Sequence, residues 1–263
     1  MKFLNFWALA LLIVCLPLQC YSSDANGKKN SPQKRTLKLV SKILRGNGDY
    51  HLFTYDDSNR LTGFSAKDGS NLYSGLITYT NDKITKLEIA EAGADDLVFD
   101  FFHSDNIIFV TVNGNKTNIQ TIELNEKGQA KKIIGWDGPG TWFELDYDSN
   151  GNVLSETIYN EEGKLDSKNI VVYDNKAGFF KDMNVPVWLG YYAFTSYWVS
   201  TVNNELIEKT YQRERDTPDY IYASTYEYDE DNYPISCTTF VERGEESTTS
   251  TLTIAYYKKE IGK

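Results

Sequence analysis

Polar, turn-forming clusters interrupt the chain at regular intervals from Leu37 onward, and strand-like runs lie between them. Every second cluster follows an aromatic or apolar residue, and five of these residues are 24, 23, 22 and 23 positions apart: Tyr55, Tyr79, Phe102, Leu124 and Tyr147. A strand of about eight residues and a turn of three or four fill half of such an interval. The pattern therefore predicts one β-hairpin per interval and about 14 to 16 strands in all.

Alternation inside the runs supports strands rather than helices. In one run Phe143, Leu145 and Tyr147 share a face, while Glu144 and Asp146 share the other. An open sheet rarely exceeds about ten strands without curling or splitting. The sequence therefore predicts an all-β fold. In it an antiparallel meander of repeated hairpins forms a strongly curled sheet or a porin-like barrel, and the protein is water-soluble.

One segment departs from this alternation. Residues 187–199 read VWLGYYAFTSYWV and are too aromatic to assign, so a buried strand, a short helix and a wrapped loop all fit. In a chain that is 14% aromatic, this segment holds the densest cluster of rings. Exposed rings can stack on sugars, whereas large aromatics more often fill cores. The candidate ligand-binding residues are Trp188, Tyr191, Tyr192, Tyr197 and Trp198.

The N-terminus predicts export. After Lys2, an apolar run over residues 6–16 is too short to span a bilayer and fits the hydrophobic region of a signal peptide. We expect residues 1–19 to be that signal peptide and residues 20–36 to be a flexible tether. A single hairpin-repeat domain is then expected over residues 37–263.

Cys20 is the expected lipidation site. The stretch Leu16-Pro17-Leu18-Gln19-Cys20 resembles a bacterial lipoprotein box, although Gln19 replaces the small residue usual before the cysteine. The alternative is ordinary secretion with cleavage near Ser22. If Cys20 carries lipid, Cys237 has no disulfide partner and is expected to be a small buried hydrophobic residue.

The units of the form Tyr-Asp-x-x-Gly/Asn-x-Leu resemble degenerate YD (RHS-type) repeats, most clearly at residues 147–154 and 226–234. The whole layout is similar to a family of uncharacterised lipoproteins from Gram-negative gut bacteria, known as a domain of unknown function with a porin-like β fold. The signal peptide ending at Cys20, the hairpin meander and the Tyr173-Asp174-Asn175-Lys176 segment carry this resemblance. It implies a fold and an envelope location, and it implies no reaction.

Charge and motifs narrow the function further. A net charge of −10 and a pI near 4.8 argue against nucleic acid as a partner. His51 and His103 are the only histidines, and neither lies in a catalytic motif. Asp146-x-Asp148-x-Asn150-Gly151 matches half of a calcium loop, but Thr157 stands where that loop needs Glu. We therefore predict no enzyme, no catalytic residue, no cofactor and no metal site.

The expected function is that of a non-catalytic envelope lipoprotein, anchored in the outer membrane through lipid on Cys20, that binds a protein or a glycan. A soluble periplasmic or secreted protein is the alternative for its location. An integral outer-membrane β-barrel is the main alternative for its function, and a hydrolase acting on polysaccharide is a further one.

Overall fold

The computed structural model describes residues 35–194 and 202–261, which fold as a closed barrel of sixteen antiparallel strands. Each strand pairs with its neighbours in the chain, and the last strand pairs with the first. The strands are β1 Arg35–Arg45, β2 Tyr50–Tyr55, β3 Leu61–Asp68, β4 Asn71–Thr80, β5 Lys83–Glu91, β6 Leu97–Ser104, β7 Ile107–Val112, β8 Asn115–Leu124, β9 Ala130–Ile134, β10 Trp142–Tyr147, β11 Val153–Tyr159, β12 Leu165–Tyr173, β13 Glu205–Gln212, β14 Tyr220–Tyr228, β15 Pro234–Arg243 and β16 Glu246–Ile261. One helix, α1 Val187–Phe194, lies between β12 and β13.

Pairing of β1 with β16 closes the barrel. It runs from Arg35 opposite Ile261 to Arg45 opposite Leu252, with a bulge after Val40. Closure leaves no unpaired strand edge to attract other chains. The porin-like barrel expected from the sequence is confirmed, and the alternative of an open, curled sheet is wrong.

The two ends of the barrel differ. We call the end where β1 begins and β16 ends the proximal end, and the end where β1 turns into β2 the distal end. The proximal turns are those that follow Tyr55, Tyr79 and Tyr147, and the segment 174–204 is inserted at the same end. Within residues 35–194 and 202–261, no helix is long and apolar enough to cross a membrane.

Five turns share one hydrogen-bond pattern. Each begins with Asp or Asn, whose Oδ1 accepts the backbone N–H groups two and four residues further on: Asp56, Asn125, Asp148, Asn160 and Asp229. The fourth residue of each turn is Asn or Gly with φ between 62° and 100°. This left-handed conformation favours Gly and Asn over other residues. The turn geometry thus explains the Asp-x-x-Gly/Asn part of the repeated motif.

Six tyrosines bond across hairpins, and three of them, Tyr55, Tyr147 and Tyr173, directly precede an Asp as in the repeated motif. Each projects inward near the proximal end, and its hydroxyl donates to a backbone carbonyl of the preceding hairpin at 2.6–2.9 Å. His103 Nε2 lies 2.7 Å from the carbonyl of Ile84 in the same way. Every acceptor sits at a β-bulge, where ladder pairing is interrupted. We call these six residues the tyrosine belt: Tyr55, Tyr79, Tyr147, Tyr173, Tyr226 and Tyr256.

The inserted helix fills one side of the barrel. Every residue from Val187 to Ala193 is buried, so α1 is apolar on all sides and shows no amphipathic period. Its rings pack against inward rings of the sheet, with centroid distances of 4.9 Å from Trp188 to Phe101 and 4.5 Å from Tyr191 to Phe143. Of the structures that the sequence left open for this segment, a short helix is the one found over Val187–Phe194; residues 195–199 lie outside the described residues.

Asparagine side chains fix the base of the insert. Asn152 Oδ1 accepts the N–H groups of Val202 and Asn203 at 2.8 and 2.9 Å, and Asn203 Nδ2 donates to the carbonyl of Lys176 at 2.6 Å. Asn204 is fully buried and donates to Asp174 and Ala177. These bonds satisfy buried backbone groups that lie outside the strand ladder.

The seam between β1 and the end of the chain holds a buried cation. Lys38 is only 2% exposed, and its Nζ lies 2.6 Å from Asp229 and 2.5 Å from Asp231. The ring of Tyr233 faces the same ammonium at 4.9 Å. The β14–β15 turn is thereby tied to the first strand.

The outer face carries charges in the middle of its strands. Lys86 pairs with Asp100 across β5 and β6, while the next residues in register, Leu87 and Phe99, are buried inside. On β9 and β10, Lys132 and Glu144 pair with Nζ and Oε1 3.3 Å apart. The outer face is therefore mixed, with charged and apolar side chains on the same strands.

Replacing Tyr147 by Phe tests the tyrosine belt. The Tyr147 hydroxyl donates to the carbonyl of fully buried Ala130 at 2.6 Å, so Tyr147→Phe leaves that carbonyl without this partner. We expect the free energy of unfolding in urea to fall by about 1–3 kcal/mol. Tyr257→Phe, at an exposed outward ring, is the matched control and should change it by less than about 0.5 kcal/mol. Equal losses in the two variants would contradict a stabilising role for the belt.

Candidate ligand-binding cavity

The aromatic residues singled out in the sequence lie in the core where they are described. Trp188, Tyr191 and Tyr192 are 2–4% exposed and pack against the sheet. Tyr197 and Trp198, like Cys20, lie outside the described residues. The three placed rings contribute to packing and present no ring face to the outer surface.

The opposite side of the barrel interior is hollow. A cavity of about 720 Å³ runs along the inner faces of β13–β16 and β1. It reaches Gly46 and Asn47 in the β1–β2 turn, at the distal end. Phe179 of the insert also lines it.

Side-chain size explains why this side is hollow. The inward positions around the cavity carry small side chains: Ser224, Cys237, Thr239 and Ser250. The inward positions on the filled side carry large rings: Phe53, Phe64, Phe99, Phe101 and Phe143. Because the strands themselves are equally spaced around the barrel, the interior empties where the residues are small.

The cavity combines rings with polar groups. Tyr222 and Tyr226 from β14 line it, and Ser224 Oγ lies 3.0 Å from Thr239 Oγ1 within its wall. The Tyr226 hydroxyl donates to the backbone carbonyl of Glu205 at 2.8 Å. Such a lining of rings with a few fixed polar groups is typical of small-molecule sites.

Two carboxylates enter the cavity from one strand. Glu205 and Glu208 both line it, although residues three apart on a regular strand face opposite sides. The bulge between Glu205 and Ile207, opposite Val172 and Tyr173, resets the alternation. Burial raises the pKa of Glu205 to about 8, and the negative charge of Glu208 adds to this. Oε1 of Glu205 is out of contact with water and has no hydrogen-bond partner in the part of the chain described.

The opposite charge lies at the distal end of the cavity. Arg45 lines it there, beside His51. Burial lowers the pKa of His51 to about 4, and the nearby Arg45 contributes, so the imidazole is neutral at pH 7. His51 Nε2 lies 3.1 Å from the hydroxyl of Tyr73.

A second acidic site adjoins the cavity. Glu156 on β11 lines a neighbouring hollow of about 440 Å³, which Glu208 also lines. Burial raises the pKa of Glu156 to about 7, while a hydrogen bond from Asn169 Nδ2 at 3.2 Å opposes the shift. Glu208 thus lines both hollows, and Glu156 lines the smaller one.

The sequence reasoning missed the Glu205 and Glu208 pair. Strict alternation places the two residues on opposite faces of the strand, so the sequence pattern did not predict that both would line one cavity. One signal was present: the apolar residues Leu206 and Ile207 stand next to each other and break the alternation at the start of the strand.

The calcium-like sequence is an Asx turn. Asp148 Oδ1 accepts the N–H groups of Asn150, Gly151 and Asn152, and its Oδ2 accepts the side-chain amide of Asn152. Within the described ranges, no three His, Cys, Asp or Glu side chains are grouped so as to hold a metal ion.

Comparison with known proteins gives a likeness in fold. No protein-family model matches the sequence, and no curated protein matches it. Two crystal structures resemble the chain, both described as porin-like proteins. The one from Bacteroides uniformis ATCC 8492 is 15% identical, covers 83% of this chain and 98% of its own, and has a TM-score of 0.41. The one from Bacteroides vulgatus ATCC 8482 is 11% identical, covers 83% and 99%, and has a TM-score of 0.40.

The raised pKa of Glu205 predicts a pH-dependent stability. A carboxyl whose folded pKa, about 8, lies above its ordinary value of 4.5 holds its proton more tightly in the folded state. Its stabilising contribution is complete below about pH 4.5 and is lost as the pH rises to 8. We expect the melting temperature to fall between pH 5 and 8, and Glu205→Gln to flatten that decline.

Glu144→Gln, on the outer face, is the control and should leave the slope unchanged. Parallel melting curves for the wild type and Glu205→Gln across this range would show that Glu205 ionises normally.

Proposed function

We propose that this chain is a non-catalytic binding protein of the cell envelope that holds a small polar ligand, such as a glycan, inside its barrel. The observation that carries this proposal is the cavity of about 720 Å³, which reaches the distal end and combines tyrosine rings with hydroxyl and carboxyl groups. This volume lies within the range of about 300–1,000 Å³ usual for small-molecule sites.

The chemistry of the lining suits a sugar. The ring faces of Tyr222 and Tyr226 offer apolar surface for the carbon-bound hydrogens of a pyranose. Ser224, Thr239 and Glu205 offer donors and acceptors for its hydroxyls.

Charged residues in the middle of the outer face support water as its surroundings, while exposed apolar residues such as Phe102, Phe109 and Phe240 on the same face suit the second candidate below. A transmembrane barrel has an apolar outer band about 25 Å tall with aromatic girdles at both interfaces. Here Lys86, Asp100, Lys132 and Glu144 lie in the middle of outward strand faces, where charge would be costly in a bilayer. In this proposal, lipid on Cys20 anchors the protein to the membrane.

An integral outer-membrane barrel is the second candidate. Sixteen antiparallel strands with closed pairing fall within the even-numbered range of such barrels. The two candidates differ in what holds the protein to the membrane, lipid on Cys20 or the barrel wall, and they can be separated on that basis.

Replacing Cys20 by Ala separates them. We expect the wild-type chain in its native host to incorporate radiolabelled palmitate and to stay with membranes in sodium carbonate. We expect Cys20→Ala to lose the label and to move to the soluble fraction. Cys20→Ser should behave in the same way. An unlabelled variant that still sediments with membranes would favour the integral barrel.

A glycan array followed by titration tests binding inside the barrel. We expect purified Cys20→Ala protein to bind a subset of glycans and to return them uncleaved. Adding Tyr222→Ala should weaken this binding at least tenfold, because the mutation removes a ring from the cavity wall. Tyr211→Ala, which removes an outward ring of neighbouring β13, is the control and should bind normally. Glycans released as shorter products would instead favour a hydrolase, and unchanged binding in Tyr222→Ala would place the ligand elsewhere.

A further inference from the structure

Glu205 lines the cavity, and its Oε1 is shielded and has no hydrogen-bond partner among the described residues. Its Oε1 is out of contact with water, while its own backbone carbonyl accepts the Tyr226 hydroxyl at 2.8 Å. Buried polar atoms in folded proteins usually have a hydrogen-bond partner, so an unpartnered carboxyl oxygen on a residue that lines a cavity favours a ligand donor that reaches it when the side chain turns toward the cavity.

A protonated amine matches these surroundings best. It offers three donors and a positive charge, which suit the unsatisfied Glu205 oxygen with Glu208 on the same wall. The rings of Phe179, Tyr222 and Tyr226 line the same space, and ring faces attract cations. A neutral hydroxyl could also donate to Glu205, but it would not gain from the negative charge of Glu208 on the same strand.

The charge at the far end of the cavity sets the orientation of the ligand. Arg45 is the cation that lines it, and it stands in the distal part beside His51. An amine at Glu205 therefore lies at the inner end of a ligand whose oxygen atoms face Arg45. This arrangement selects one orientation of an asymmetric ligand.

We infer that the barrel cavity selects ligands bearing a protonated primary amine, such as amino sugars, and that Glu205 receives this amine. The inference rests on the proposed binding function and narrows its ligand class. It makes Glu205 the specificity-determining residue and Glu208 its companion charge.

Binding should release a proton. At pH 7 the Glu205 carboxyl, with its pKa raised to about 8 by burial, is mostly protonated, and it must ionise to pair with an ammonium group. The titratable groups near Glu205 are Glu208, Tyr173 and Tyr226, and Tyr222 and Cys237 line the same cavity. Arg45 and His51 lie at its distal end. His51 has a pKa lowered to about 4 and stays neutral at pH 7, so it does not supply this proton.

Two disaccharides that differ only at the amine test the inference. The probes are β-1,4-linked di-glucosamine and its N,N′-diacetyl form, titrated by calorimetry at pH 7 into Cys20→Ala protein. Repeating the titration in buffers of different ionisation enthalpy gives the number of protons released. We expect the free amine to bind at least tenfold more tightly than the acetylated sugar and to release close to one proton.

Glu205→Gln keeps the shape of the side chain and removes its charge. We expect it to abolish both the preference for the amine and the proton release. Glu156→Gln is the matched control, since Glu156 is a buried carboxyl with a raised pKa that lines the adjacent hollow. Glu156→Gln should keep the preference for the amine and the proton release. Circular dichroism should show that the Cys20→Ala protein and both glutamate variants are folded.

Each other outcome has a defined meaning. Equal binding of both sugars with no effect of Glu205→Gln would overturn the amine inference and leave the proposed binding function standing. A preference that survives in Glu205→Gln but is lost in Glu156→Gln would assign the amine to the adjacent hollow and overturn the role of Glu205. Spermidine serves as a further amine probe. If neither disaccharide nor spermidine binds, the inference is overturned, and the glycan array then decides the proposed function separately.

Discussion

The hydrogen bond from a tyrosine hydroxyl to a bulge carbonyl of the preceding hairpin is the interaction on which this barrel depends. A bulge lies at each of these carbonyls and leaves it without a partner in the strand ladder. At six of these carbonyls a tyrosine of the next unit supplies a donor, and His103 lies in the same position at a seventh. Tyr79, for example, bonds the carbonyl of Leu61, whose strand partner is the preceding belt residue Tyr55. Repeated around the barrel, this relay joins local hairpins into a continuous wall.

Most of the belt lies apart from the cavity. Its hydroxyls lie near the proximal end, whereas the cavity extends to the distal end between small side chains such as Ser224 and Thr239. Tyr226 is the one belt residue that also lines the cavity. The rings that fill the other half, including Phe101 and Phe143, leave the interior asymmetric. One half therefore supplies a packed core, and the other half leaves room for a ligand.

Much of the wall could be predicted from the sequence because its determinants are local. The spacing of Tyr55, Tyr79 and Tyr147 gave the hairpin period, and the Asp and Asn residues gave the turns. Local pattern alone left a closed barrel and a curled sheet as alternatives, since the pairing of Arg35 with Ile261 joins residues that are far apart in the chain. The helix α1 could not be assigned from the sequence because it is buried on every side. Its sequence therefore lacks the alternation of apolar and polar faces that identifies a surface helix. The carboxyl pair in the cavity was hidden because a single bulge shifts the alternation.

The pairing of the first strand with the last, together with the ion pairs of Lys38, has a consequence for folding. The first strand pairs along most of its length with the last, and its buried ammonium needs Asp229 and Asp231 from a turn that is synthesised late. Until β16 arrives, one edge of β1 is open to any passing strand, and its lysine lacks counter-ions. The strand that waits longest for its partner is therefore the one that is synthesised first.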